Sequence, residues 1–215
     1  MSEDTGVTIQ GSSLDGKRVI LAVSGGIAAT ESIKLARELR RHGATVYPIM
    51  SNSAEKIISP LALSWGSGDQ VITEWDPEMS QLSDFDGIIL APATRNSIAK
   101  FAHGLLDSPM MMALSAAAGR GIPMMFVPSM HNDLFHDAVT TDLISSLEGL
   151  GVEDLLGEPS EGRMKQPSAT KIVAHFCNLT NRRLGNRKRV AVTPVSYTHL
   201  RAHETLRYRG WRRGG

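Results

Sequence analysis

The sequence predicts an α/β fold: a doubly wound parallel sheet with helices on both faces, a three-layer arrangement of the Rossmann-like, flavodoxin-like kind. Three observations carry that prediction. Short apolar runs rich in β-branched residues alternate with helix-period segments along most of the chain. The first run breaks at a glycine pair and passes straight into a helical pattern. Small polar turns, 24–26, 51–53, 92–97 and 128–132, follow four of the strands, at the carboxyl ends where such folds bind ligands.

Residues 19–23 are apolar on both faces, as a strand buried in a parallel sheet must be. Residues 27–41 then place Ile27, Ala28, Ile33, Leu35, Ala36 and Leu39 at the spacing of an amphipathic helix. The turn between them, Ser24-Gly25-Gly26, has to be tight. Glycine permits positive φ or a close approach of ligand to backbone, and the N–H groups opening the next helix favour an anion such as a phosphate. A strand-to-helix turn without a ligand is the other reading of the same residues. Further along, strands are predicted over 45–50, 70–73, 87–90 and 123–127, with helices over 54–63, 97–106, 109–118 and 132–147. Right-handed crossovers then make the sheet parallel.

The chain has 215 residues, 41% hydrophobic and 5% aromatic, enough for one main domain with a core of ordinary size. No stretch reaches the roughly 18 apolar residues of a membrane helix, and the polar start has no signal-peptide order. A soluble, cytoplasmic protein is expected, without a membrane or nucleic-acid partner. Cys177 is alone, so no internal disulfide can form, and no Cys or His cluster has zinc-like spacing; no metal is expected. The net charge of +1 is uneven, because residues 196–215 carry five arginines against Glu204, leaving the first 195 residues at −3. That tail reads either as a basic arm or as a non-native extension; its abrupt start and lack of periodicity favour the second. The methionines at 110–112, 124, 125 and 130 are expected in the core.

Five motifs, AVSGGIAA (22–29), RELRRHGATVY (37–47), APATRNSIAKFAHGLLDSP (91–109), VPSMHNDLF (127–135) and EGRMKQP (161–167), carry a resemblance to a known family. The chain resembles the homo-oligomeric flavin-containing cysteine decarboxylases, and within them the decarboxylase half of the archaeal-type bifunctional coenzyme A biosynthesis proteins. The likeness divides the chain into a flexible start (1–16), a flavoprotein domain (17–183), the first strand of a ligase half (184–195) and the tail (196–215). It implies an FMN cofactor, and a homo-oligomer, a trimer or multiple of trimers, with FMN at the subunit boundary.

The resemblance implies that Gly25, Gly26 and Ile27 cradle the FMN phosphate with Ser24 nearby, and that Ser51 and Ser53 add hydroxyl contacts. Thr94, Arg95, Asn96 and Ser97 would meet the phosphate or the ring edge, with Ser129 at the ring. Hydroxyl and amide side chains at strand ends supply the donors such a ligand needs. Taken singly, Ser53 and Thr94 equally suit helix N-caps.

For catalysis the resemblance implies that the family's histidine falls at Glu78 or a close neighbour in DPEMSQLSD (76–84), and that its substrate-holding asparagine falls at His131, followed by Asn132. A carboxylate at 78 would repel an anionic substrate unless burial raised its pKa. His131 suits acid–base work or, alternatively, capping of the next helix. Arg163 suits a carboxylate or phosphate, or is a solvated loop arginine; Met164 is a lid contact or core packing. Residues 157–168 have the Gly, Pro and Ser content of a mobile flap.

The implied reaction is FMN-dependent decarboxylation of 4'-phosphopantothenoylcysteine to 4'-phosphopantetheine. Oxidation of the cysteine side to a thioaldehyde precedes loss of carbon dioxide, and the same flavin reduces the enethiol. The alternative is an FMN-binding relative with an electron-transfer, flavin-prenylating or regulatory role.

Overall fold

The computed structural model describes residues 6–75 and 84–182. Strand β1 (Arg18–Val23) leads through a 3-10 turn (Ile27–Glu31) into α1 (Ser32–Arg41) and β2 (Thr45–Met50). Two short helices, α2 (Asn52–Glu55) and α3 (Pro60–Ser67), precede β3 (Gly87–Ala93), α4 (Arg95–Ala102), α5 (Pro109–Gly119) and β4 (Met124–Pro128). Then come β5 (Met130–His131), α6 (Asn132–Phe135), α7 (Ala138–Gly149), β6 (Val152–Asp154), β7 (Pro159–Ser160), β8 (Arg163–Met164) and α8 (Ala169–Arg182).

The main sheet has the order β2-β1-β3-β4-β6 with all four strand pairings parallel. This is the doubly wound, flavodoxin-like order, and the chain reverses its winding between β1 and β3. Residues alternate between two cores: Val19, Leu21, Ile89 and Val127 face one, with Leu35, Leu39 and Phe176. Ile20, Ile88, Leu90 and Phe126 face the other, with Leu114 and Leu147. Period-2 alternation of apolar side chains on both faces is what makes the strands read as continuous apolar runs. A second, three-stranded sheet, β5-β8-β7, is antiparallel.

The chain departs from the sequence expectation where local chemistry overrides periodicity. The helix expected over 27–41 opens as a 3-10 turn, and α1 starts at Ser32, whose buried hydroxyl donates to Ala91 O at 3.1 Å. The helix expected over 54–63 is two, because Pro60 forces Ser59 into an extended conformation (φ −68°, ψ 137°). The strand expected over 70–73 is a single bridge, Ile72 to Ile49. The helix expected over 132–147 breaks at Asp137, which is extended (φ −66°, ψ 138°).

Besides the two-residue strands β5, β7 and β8, two elements were not anticipated. β6 is only three residues long. By contrast α8 buries Ile172, Val173, Phe176 and Cys177 at helical spacing, a signal that was there to be read. Its Phe176 ring lies so close to β3 that a Cβ on Gly87 would sit 2.5 Å from Cζ. Five of the six clustered methionines are core, whereas Met112 is 42% exposed.

Candidate functional site

The loops after β1 and β3 are held together by one buried hydroxyl. Ser24, 1% exposed, donates from Oγ to Pro92 O at 2.7 Å and accepts from Thr94 N at 3.0 Å. Thr94 Oγ1 lies 3.2 Å from Ser24 Oγ and 3.1 Å from Ser97 Oγ, and it accepts from Ser97 N to cap α4. After β2, Ser51 N donates to Val23 O at 3.0 Å and Ser51 Oγ caps α2. All three loops therefore meet at the winding reversal, where the strand ends diverge and leave a crevice.

Two cavities occupy that crevice, one on each side of the glycine pair. The first, about 370 Å³, is lined by Gly25, Ser51, Asn52, Ser53, the α4 cap Thr94 and the α4 residues Asn96 and Ser97, and closed by Lys100, Asp107 and Ser108. Ser108 caps α5, so α4 and α5 both begin at this cavity, with first-turn N–H groups that have no intrahelical carbonyl to reach. The second, about 620 Å³, runs from Gly26, Ile27 and Thr30 past Ser129 and His131 to the β7–β8 hairpin with Arg163, Met164 and Gln166.

The segment expected as a flap folds as a β-hairpin, β7–β8. Glu161 (φ 52°) and Gly162 (φ 71°) are the two central residues of its turn, both at positive φ, which matches a two-residue type I′ connection. β8 pairs with both neighbours, setting Arg163 opposite His131 and Ser160, and Met164 opposite Met130 and Pro159. Directly opposed residues project to the same face, so the imidazole and guanidinium stand side by side on the cavity wall. Glu161 pairs with Lys165 at 2.7 Å, a contact that holds its carboxyl below the usual carboxylate range.

The individual assignments separate accordingly. Gly25, Ser51, Ser53, Thr94, Asn96 and Ser97 line the polar cavity, while Gly26, Ile27, Ser129, His131, Arg163 and Met164 line the larger one. Ile27, expected at the phosphate, is instead 65% exposed beside Gly26. Ser24 is not a wall residue of either cavity; it is the interior tie. Arg95 turns its guanidinium to Asp137 at 2.7 Å and lines neither cavity, because Asp137 stands at the α6–α7 break beside it. Asn132 N donates to Gly162 O at 3.0 Å, while its buried Oδ1 has no hydrogen-bond partner. Glu78 lies outside the described residues.

Neither Gly25 nor Gly26 has positive φ, and Gly26 is extended (φ −122°, ψ 155°). Glycine is needed at 25 because a Cβ there would lie 2.3 Å from Ser53 Cβ, so the β1 and β2 loops touch backbone to backbone. The cap of α2 is Ser51 and not Ser53, and His131 precedes α6 without capping it through its side chain. Lys100, Asp107 and Ser108 were not foreseen at the site, although Ser108-Pro109 has the N-cap and N1 signature of a helix start.

Comparison with known proteins agrees with this architecture. The chain is 36% identical over 187 residues to the coenzyme A biosynthesis bifunctional protein CoaBC of Thermococcus kodakarensis, covering 84% of this chain and 46% of that protein. It therefore spans about half the length of that relative. It is 31% identical over 147 residues to a probable phosphopantothenoylcysteine decarboxylase of Streptococcus mutans, covering 65% of this chain and 82% of that one. The fold is shared with the FMN-dependent cysteine decarboxylase SpaF at a TM-score of 0.69 and 18% identity, over 78% of this chain and 99% of that chain. Residues 8–181 match the Flavoprotein family throughout, and the chain belongs to that family.

Proposed function

We propose that the chain binds FMN across the two cavities and decarboxylates 4'-phosphopantothenoylcysteine to 4'-phosphopantetheine in coenzyme A synthesis. The observation that carries this reading is the division of the crevice by the Gly25-Gly26 wall into a hydroxyl-rich chamber and a wider one bearing a guanidinium–imidazole pair. The donor set fits a phosphate monoester. Ser51, Thr94, Ser97 and Ser108 offer hydroxyls, Asn52 and Asn96 offer amides, and two helices open there. The larger chamber offers Ile27 and Met164 as apolar surface for a planar ring and Ser129 as a hydrogen-bonding edge. The relatives' names, a coenzyme A biosynthesis protein and a probable phosphopantothenoylcysteine decarboxylase, support the substrate, and the name of SpaF supports the cofactor.

When bound, FMN supplies the two-electron redox chemistry that makes loss of carbon dioxide from the cysteine end accessible. The chain's own groups bind and orient. Arg163 takes an anionic oxygen pair of the substrate by bidentate donation. His131, beside it in register, holds or moves a proton at the same end. The β7–β8 hairpin covers the chamber and limits water. The same reading places the protein in the cytoplasm as a homo-oligomer that works with a ligase domain.

The full chain, purified, should be yellow, release FMN on denaturation and liberate carbon dioxide from 4'-phosphopantothenoylcysteine. A colourless protein that refuses FMN overturns the reading. FMN uptake without carbon dioxide release leaves a flavoprotein with an electron-transfer, flavin-prenylating or regulatory role.

A further inference from the structure

Helix α4 brings two cations to the edge of the crevice, and each meets an aspartate from another segment. Arg95 is paired with Asp137 across to α7. Lys100 Nζ is in close contact with Asp107 Oδ2, from the loop before α5. Among the described residues that line the polar cavity, Lys100 is the one cation and Asp107 the one anion. The chamber proposed for a phosphate therefore has no uncompensated positive charge among these residues, and what it does offer is hydroxyls, amides and helix-opening N–H groups.

We infer that Asp107 is a specificity-determining residue of this chamber. By neutralising Lys100 it leaves the phosphate to be held by dipolar donors, so that affinity depends on donor geometry and not on net attraction. The inference rests on the FMN reading above. Its physical content is that donors fixed by helix caps and loop ties need no reorganisation to meet an oxyanion, whereas a free ammonium would attract any anion of sufficient charge. A balanced chamber takes one phosphate monoester and gains nothing from further anionic groups.

The test is titration of flavin-free full chain with FMN and, as the uncharged control, riboflavin, followed by quenching of flavin fluorescence at about 0.01 M and about 0.15 M salt, where screening differs by a factor of roughly four in length. The wild type should bind FMN with less than about a twofold change between the two salts. D107N should bind FMN about fivefold tighter at the lower salt, the effect of one added unit charge near 4 Å in a water-like dielectric, and about two- to threefold tighter at the higher salt, where a contact shorter than the screening length is only partly screened. K100M should weaken FMN by a similar factor. The double variant should return to within about twofold of wild type, with riboflavin affinity unchanged throughout; both factors follow from cancelling that same charge. A double variant as weak as K100M would make Lys100 the direct clamp and overturn the inference, as would D107N behaving like wild type at the lower salt. A wild type that binds neither flavin overturns the FMN reading together with this one. Both positions are partly exposed, and K100Q takes the place of K100M in the single and the double variant should K100M fail to fold.

Discussion

The two cavities differ in how they are built. The polar one is walled by loops that leave the adjacent strands β2, β1 and β3 of the main sheet, and these are tied to each other by the Ser24 hydroxyl, the Ser51 and Thr94 caps and the Gly25–Ser53 contact. The larger one is roofed by a hairpin outside the main sheet, held by two-residue strands and a close approach at its base, where a Cβ on Gly157 would lie 1.8 Å from Lys165 O. The side chains proposed to work there, His131 and Arg163, are exposed. A site on rigid elements can hold its ligand by fixed donors, whereas one on a short hairpin can be re-aimed at little cost to the core.

The largest expected effect breaks the first region and spares the second. Gly25→Val should abolish flavin retention, because the side chain must displace the Ser53 backbone; the visible absorbance of purified protein reads it. Gly157→Ala should act mainly on the second, lifting the hairpin, so that substrate turnover falls steeply while FMN content falls far less than in Gly25→Val. Arg163→Met should raise KM about 10- to 100-fold with flavin content unaltered, the loss of a charge-assisted contact of about 1.5–3 kcal/mol. Ser24→Ala should lower stability by about 1–3 kcal/mol through the unpaired Thr94 N–H and Pro92 carbonyl, seen as a lower Tm with the yellow colour retained.

The smallest effect lies on neither cavity and serves as the reference. Burial raises the Asp154 carboxyl on β6 above its ordinary value, with Glu153 and Glu148 adding to the shift. A carboxyl whose folded pKa exceeds its unfolded one favours folding below the unfolded value and loses that contribution as pH rises through the folded value. Asp154→Asn should therefore match wild type in acid and exceed it at neutral pH by a degree or so, a gain of the size expected of a partly exposed position. A melting series against pH checks it.

Legibility in the sequence followed the same division. The β1 run, the glycine pair and the polar strand ends were readable because burial and turn chemistry act through neighbours in sequence. Thr94 could be weighed as a cap for the same reason. Arg95 could not be placed, since its direction depends on Asp137, 42 positions away and visible only once α4 and α7 lie together. The hairpin escaped because two-residue strands carry no periodicity, even though Glu161-Gly162 resembles a tight-turn pair.

By itself the sequence determined a parallel α/β sheet with an anion-friendly end, since apolar patterning and local turn residues suffice to select it. Only the tertiary structure decided that Gly25 is required by Ser53, that His131 and Arg163 stand side by side, and that Lys100 is neutralised by Asp107. Each of these pairs joins segments that patterning leaves independent, and close packing alone brings them into contact.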